Sequence, residues 1–458
     1  MPRLPKSRNL AARHRRELIA SRIHARKAWR TGWIVGVAIL AGSAGAYYAR
    51  LCDVAIRAHA RIGAAMGWPV AVLLPLGFAA MAWVMVKFSP ESSGSGIPQV
   101  IAAAEQRWTG RWGGQRVTIR TAAWKVVISA LLLVCGASIG REGPTVQIVA
   151  GIQRSLTRGL KGGPGRRAII IAGGAAGIAA AFNTPIAGVV FAVEELAKAF
   201  EKRTHTTAIL VVVAAGFTSY AIQGDYAYFG NLGGPVTLGS AWLFAPVIGI
   251  VGGLMGGVFS RVLAYVTGPF DNPVNRWRRA HPVIFAGLCG IVAAVVALAT
   301  NGLTYGAGYD AAKSLLEGHP GRGMTLAVGK FLATLSAACA GLPGGIFAPS
   351  LAAGAGLGAA FAHLGLGIAT RDAVVLGMAS YLSGVVQSPL TSAVILMEMT
   401  RDPGLVGPLM LAALLARWAS GLIQPEPIYH VLSRNWRLPA APPQTGQSTG
   451  ADTMKSVR

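Results

Sequence analysis

Acidic residues are scarce in this chain, whose 458 residues include 17 Asp and Glu against 42 Lys and Arg. Charged residues of both signs make up only 13% of it, far below the share in an ordinary soluble domain, so a soluble globular fold is excluded. The four cysteines, Cys52, Cys135, Cys289 and Cys339, stand singly with no Cys-x-x-Cys spacing. That pattern argues against a disulfide framework or a zinc site and leaves them as small core residues. The eight histidines are scattered, and no His, Cys, Asp and Glu cluster has metal-ligand spacing. No nucleotide-binding loop and no nucleophile–base pair stands out, so nothing points to an enzyme, a cofactor or a bound metal. Period-2 alternation is missing as well, which removes a transmembrane β-barrel.

What fills the sequence instead is apolar: 53% of it is hydrophobic, with a mean hydropathy of +0.50. Segments 33–48, 68–88, 208–222, 242–266, 283–298 and 405–422 supply the length that roughly 30 Å of hydrocarbon requires. Other apolar stretches are too short or too glycine-rich to cross alone. This composition predicts an all-α polytopic membrane protein. A formal charge of +25 would suggest nucleic acid in a soluble protein, but here the basic residues gather at 3–30, 107–120, 154–167, 198–203 and 276–279, flanking apolar spans. The positive-inside rule puts such segments in the cytoplasm, with no nucleic-acid role. The loop 223–241 has Asp225 and no Lys or Arg, and falls on the opposite side. Residues 10–29 predict an amphipathic helix lying on an anionic membrane surface. The basic N-terminus is too long for a cleavable signal peptide.

Into this apolar background Gly140-Arg141-Glu142-Gly143-Pro144 sets a carboxylate and a guanidinium. The glycines interrupt a helix and Pro144 suits the first turn of a new one, so a helix is expected to start over 142–144, at membrane depth. Such a start exposes unpaired N–H groups and the positive end of a helix dipole, which together bind anions. Broken helices are tolerated there only where protein or a water-filled cavity surrounds them, so this one lines a pathway. Ser93-Gly94-Ser95-Gly96-Ile97-Pro98 has the same form.

A repeat runs through the chain. The stretch from Cys135 to Pro144 has a weak copy from Cys339 to Pro349; Pro185 then follows Pro144 by 41 residues, and Pro389 follows Pro349 by 40. Glu194 and Glu398 each stand nine residues beyond their proline. Two halves with glycine- and proline-broken segments at matching positions predict a repeat transporter with its site near the midplane. The repeat also sorts two neighbouring acids: Glu194 aligns with Glu398, whereas Glu195 aligns with Met399. The duplicated acid reads as structural, bonding a helix end; Glu195, present once, is the functional candidate. Lys125, near the start of an apolar span, reads as a counter-charge or a snorkelling lysine.

With Gly94-Ser95-Gly96-Ile97-Pro98, Gly140-Arg141-Glu142-Gly143-Pro144, Gly345-Ile346-Phe347-Ala348-Pro349 and Tyr429 in this order, the chain resembles the CLC family of chloride channels and chloride/proton antiporters. The resemblance implies a homodimer, each subunit holding its own anion pathway in an inverted repeat of tilted and broken helices, roughly 31–222 and 241–436. Residues 1–30 are expected to form a basic cytoplasmic segment, and 437–458 a short disordered tail without the regulatory domains of many eukaryotic relatives. It implies that the Ser95 and Tyr429 hydroxyls and the Ile346 and Phe347 N–H groups hold a dehydrated chloride. Glu142 becomes the gate that competes with the anion, and Glu195 the inner proton-transfer acid. Ser95 stands where nitrate-preferring relatives tend to have proline and fluoride exporters methionine, which suggests chloride. The expected function is exchange of chloride for protons across the inner membrane, with both termini cytoplasmic. A passive chloride channel is the alternative. Gln99-Val100-Ile101 departs from the acids that bacterial antiporter relatives often place there, leaving open what holds Glu195.

Overall fold

A computed structural model describes residues 6–105, 116–160, 165–196, 202–224, 228–230, 238–319 and 322–437. The tail 438–458, residues 107–115 of the basic segment 107–120, and residues 225–227 and 231–237 of the loop 223–241, on which expectations were placed above, lie outside these residues. Eighteen α-helices are described and no strand among the described residues. In order they are α1 Lys6–Met66, α2 Leu73–Phe88, α3 Ile97–Glu105, α4 Ile119–Val134, α5 Glu142–Leu156, α6 Arg166–Phe182, α7 Pro185–Phe191, α8 Lys202–Gln223 and α9 Leu238–Thr267. There follow α10 Pro273–Ala280, α11 Pro282–Ala299, α12 Tyr309–Leu316, α13 Gly323–Cys339, α14 Phe347–Ala362, α15 Thr370–Val386, α16 Pro389–Thr400, α17 Val406–Ile423 and α18 Ile428–Ser433.

Among the described residues five helical stretches are long and apolar enough to cross a membrane: His14–Met66, Trp68–Phe88, Gly239–Thr267, Pro282–Ala299 and Pro403–Ile423. Their outer faces carry Leu40, Leu76, Leu243, Val295 and Trp418, which only a lipid environment accommodates in such number. The amphipathic surface helix expected over 10–29 is not a separate element. The chain continues from it into the first span as one helix of 61 residues, because Gly32 alone does not stop a helix and no proline or cap intervenes. Its described side chains from 14 to 29 are exposed on every side.

The repeat is written into the backbone. Arg141 before α5 has φ −95° and ψ −14°, and Ile346 before α14 has −105° and −5°. Helix α6 ends on Asn183 at φ 59° and α15 on Gln387 at 60°, both left-handed, followed by Thr184 and Ser388 with matching extended angles. In each half the broken helix packs on its successor, α5 on α6 and α14 on α15. Glycines permit that approach: a Cβ on Gly177 would lie 2.6 Å from the Val146 Cα, and one on Gly358 2.0 Å from the Ala373 carbonyl oxygen. The halves meet where Gly140 and Gly345 exchange two N–H to C=O bonds of 2.7 Å each.

Candidate anion and proton site

Three glycine-rich loops converge at that junction. Gly94 donates its N–H to the Gly341 carbonyl at 2.9 Å, tying the loop before α3 to the loop before α14. A Cβ on Gly143 would fall 2.8 Å from the Ser95 carbonyl and 3.3 Å from the Gly345 Cα, so only glycine lets α5 start there. Gly94 and Gly96 take φ of 61° and 101°, left-handed conformations that favour glycine on either side of Ser95. The expected helix start is thus met: α5 begins at Glu142, with Pro144 in its first turn.

Ser95, Ile346 and Tyr429 line one cavity of about 660 Å³, together with Arg278, Arg279 and Arg434. The Ser95 hydroxyl oxygen accepts the Ile97 N–H at 3.3 Å, which leaves its own proton to donate. Tyr429 is buried; its ring stacks on Phe347 at 6.1 Å and 9°, and its hydroxyl, with Ser95 as its polar neighbour, makes no well-formed hydrogen bond within the protein. The N–H groups that open α14 have no preceding turn to bond. Neutral donors and a helix end therefore face the cavity, with guanidinium groups among its lining, an arrangement suited to a partly dehydrated monovalent anion.

Glu142 is fully buried and its carboxylate occupies the start of α14. One oxygen accepts the Ala348 N–H at 3.4 Å and the other the Tyr309 hydroxyl at 2.5 Å. A Cβ on Gly140 would meet that carboxylate at 2.2 Å, which explains the first glycine of the motif. Arg141 turns the other way. It donates to the Ala49 carbonyl and to Asp53 at 2.8 Å each, and its guanidinium lies 5.2 Å from the Tyr228 ring centre, so it supports the motif without touching the cavity.

The two adjacent acids part as the repeat predicts. Glu194 accepts the N–H groups of Leu390 and Thr391 at 3.1 and 2.7 Å, capping α16; Glu398 accepts those of Ile186 and Ala187 at 3.1 and 2.7 Å, capping α7. Glu195 instead points inward from a π-helical turn, Ala192–Leu196, with one oxygen accepting the Ser388 hydroxyl at 2.7 Å. The other lies 3.9 Å from Nε2 of His430. The Ser388 hydroxyl thus holds Glu195, with His430 beside it, in a chain with no acid at 99–101.

Lys125 does not snorkel. It is fully buried and donates to the Gly94 carbonyl at 2.9 Å, because α4 is covered along that face by the loop it holds. Sequence reading missed its counterpart Lys330, which donates to the Thr304 and Gly306 carbonyls at 2.9 and 2.7 Å. Each lysine stands 19 residues before its proline, Pro144 or Pro349. Gly306 and Gly308, at φ 63° and 87°, mirror Gly94 and Gly96. Gly306-Ala307-Gly308-Tyr309 is therefore the second copy of the Ser95 loop, and the repeated Gly-x-Gly beside the spaced lysines was the signal that would have found Tyr309.

Comparison with known proteins places these features. The family described as "Voltage gated chloride channel" matches residues 76–421. The H(+)/Cl(-) exchange transporter ClcA of Citrobacter koseri is 30% identical over 394 residues, spanning 80% of this chain and 78% of that protein. Its namesake from Yersinia pestis is 30% identical over 390 residues, 80% and 77% of the two. Among solved structures, a slow cyanobacterial Cl-/H+ antiporter superposes with a TM-score of 0.75 at 28% identity, covering 89% of this chain and 97% of its own. A CLC-type fluoride/proton antiporter shares the fold, with a TM-score of 0.72 at 21% identity, 88% and 98% covered.

Proposed function

The chain belongs to the voltage-gated chloride channel family, and on that premise we propose that it is a secondary transporter exchanging chloride for protons, with Glu142 as the group that both ions contest. The observation that carries this reading is the seat of the Glu142 carboxylate at the N-terminus of α14, where a helix dipole and an N–H donor favour any anion. A deprotonated Glu142 fills that seat and shuts the pathway. A protonated one has lost the charge that holds it there, leaves, and admits chloride. One group that competes with the anion and carries the proton couples the two flows.

Chloride waits in the neighbouring cavity on the Ser95 and Tyr429 hydroxyls and the Ile346 and Phe347 N–H groups. These neutral donors hold it without trapping it, and they discriminate weakly among chloride, bromide and nitrate. Glu195 passes protons between the cytoplasm and Glu142 by a route apart from the chloride cavity. Its burial beside an acid, Glu194, that already does the capping work supports this role over the channel alternative, in which Glu195 is merely structural. On this reading residues 31–436 are the transport domain of a homodimer in the inner membrane, with the basic segment 1–30, the tail 437–458 and both termini in the cytoplasm.

The test is proton movement in liposomes holding the purified protein, driven by a chloride gradient with the voltage clamped by an ionophore. Uphill proton flux that vanishes in both Glu142→Gln and Glu195→Gln is expected. Chloride flux with no proton movement in the unaltered protein makes it a channel.

A further inference from the structure

Glu195 is the buried end of a row of ionisable side chains. Its Oε1 lies 3.9 Å from Nε2 of His430, and on the other edge of the same ring Nδ1 lies 4.0 Å from Oε1 of Glu105. The remaining oxygen of Glu105 accepts a hydrogen bond from Arg437 at 2.5 Å. Side-chain exposure climbs along the row, from 3% at Glu195 through 9% at His430 and 23% at Glu105 to 41% at Arg437. The members come from separate elements: the π turn after α7, helix α18, the last residue of α3 and the segment after α18. Packing of α18 on α3 brings them into line.

An imidazole between two carboxylates can pass a proton, because each ring nitrogen serves as donor or acceptor. The gaps at both nitrogens exceed a hydrogen bond by less than about 1 Å, a distance that a small rotation of either side chain closes. The Ser388 hydroxyl fixes Oε2 of Glu195, which leaves Oε1 turned to the ring. Glu194 cannot join the row, since both its oxygens cap α16.

Resting on the exchange reading, we propose that Glu105 and His430 form the relay that loads Glu195 with protons from the surface marked by Arg437. A protonated Glu105 gives its O–H proton to Nδ1, producing an imidazolium and a carboxylate that Arg437 steadies. The Nε2 proton then passes to the Glu195 carboxylate, and the neutral ring is left protonated at Nδ1. Release of the Nδ1 proton to solvent water and uptake of one at Nε2 restores the starting tautomer with no net change in proton count. One proton has crossed, and only O–H and N–H bonds have been made and broken. The row also runs in reverse when protons leave. His430 adjoins Tyr429 on α18, so the anion donor and the relay share one short helix while facing different partners.

The test measures uphill proton flux and chloride flux in parallel for full-length protein in liposomes, with His430→Asn, Glu105→Gln and Glu195→Gln beside the unaltered chain. A general acid–base group of this kind contributes enough that His430→Asn should lower the proton-to-chloride ratio by roughly ten-fold or more, and Glu105→Gln by about three-fold. A merely structural role lowers both fluxes together and leaves their ratio alone. An unchanged ratio in both variants, with proton flux lost in Glu195→Gln, overturns the relay and spares the exchange reading. Proton flux that survives in Glu195→Gln overturns the proton role of Glu195 and the relay with it, whereas chloride flux without proton movement in the unaltered chain overturns the exchange reading. Should His430→Asn not assemble, the Glu105→Gln ratio decides the matter.

Discussion

Helices α5 and α14 start in nearly the same backbone conformation, yet one opens with the side chain of Glu142 and the other with that of Phe347. The α5 start supplies the carboxylate; the α14 start supplies the N–H groups that receive it. The same division recurs around the dyad. Glu194 and Glu398 cap each other's helices at equal distances, while Glu195 faces a relay and its counterpart Met399 is buried among apolar neighbours. Lys125 and Lys330 hold equivalent Gly-x-Gly loops, but one loop presents Ser95 and the other Tyr309. Duplicated residues build the scaffold, and residues that occur once carry the chemistry.

The comparison is broken most severely by making the halves alike where they differ. Glu195→Met, which copies Met399, should abolish uphill proton flux while chloride still flows, by at least about a hundred-fold in the proton flux. Adding Met399→Glu should not restore it, because no relay faces that position; flux assays on the single and double variants check this. Next in size is Tyr309→Phe. A hydroxyl bonded to a charged carboxylate is worth about 1.5–3 kcal/mol, so losing it should raise chloride flux at neutral pH by about ten-fold as Glu142 leaves its seat more often. The mirror change at Ile97, to Val, should do far less.

Symmetric pairs sharpen the comparison from the other side. Lys125→Met and Lys330→Met each strip carbonyl groups of a buried donor, at about 1–3 kcal/mol apiece, and thermal unfolding in detergent should register a greater loss at Lys330, which holds two loop carbonyls within 3.0 Å to the one held by Lys125. The smallest effect belongs to Glu194→Gln and Glu398→Gln. Each weakens one helix cap by about 1 kcal/mol, so both should lower the melting temperature slightly, Glu194→Gln the more because Glu194 also accepts the Thr391 hydroxyl at 2.7 Å, and leave the proton-to-chloride ratio untouched.

The broken-helix starts were legible because glycine, proline and charge rarely meet in an apolar run, and α5 does begin at Glu142. The capping role of Glu194 was legible from matched spacing alone. Three things were not. The continuation of α1 from residue 6 to 66 escaped because the basic stretch changes composition without changing helix propensity. The loop-holding role of Lys125, and Lys330 altogether, escaped because a lone lysine near a span end ordinarily snorkels, and only tertiary contact shows loop carbonyls waiting for it. His430 escaped because one histidine has no pattern, and Glu105 and Glu195 reach it only through the packing of α3, the π turn after α7 and α18.

The central claim, that Glu142 occupies an anion's position, is tested most directly with bromide. Crystals of the unaltered protein and of Glu142→Gln grown in bromide at neutral pH can be compared by anomalous scattering. The account predicts a bromide peak against the Ala348 N–H in the variant and none there in the unaltered protein. A peak at that point with the Glu142 carboxylate still seated, or no peak in the variant, would contradict it.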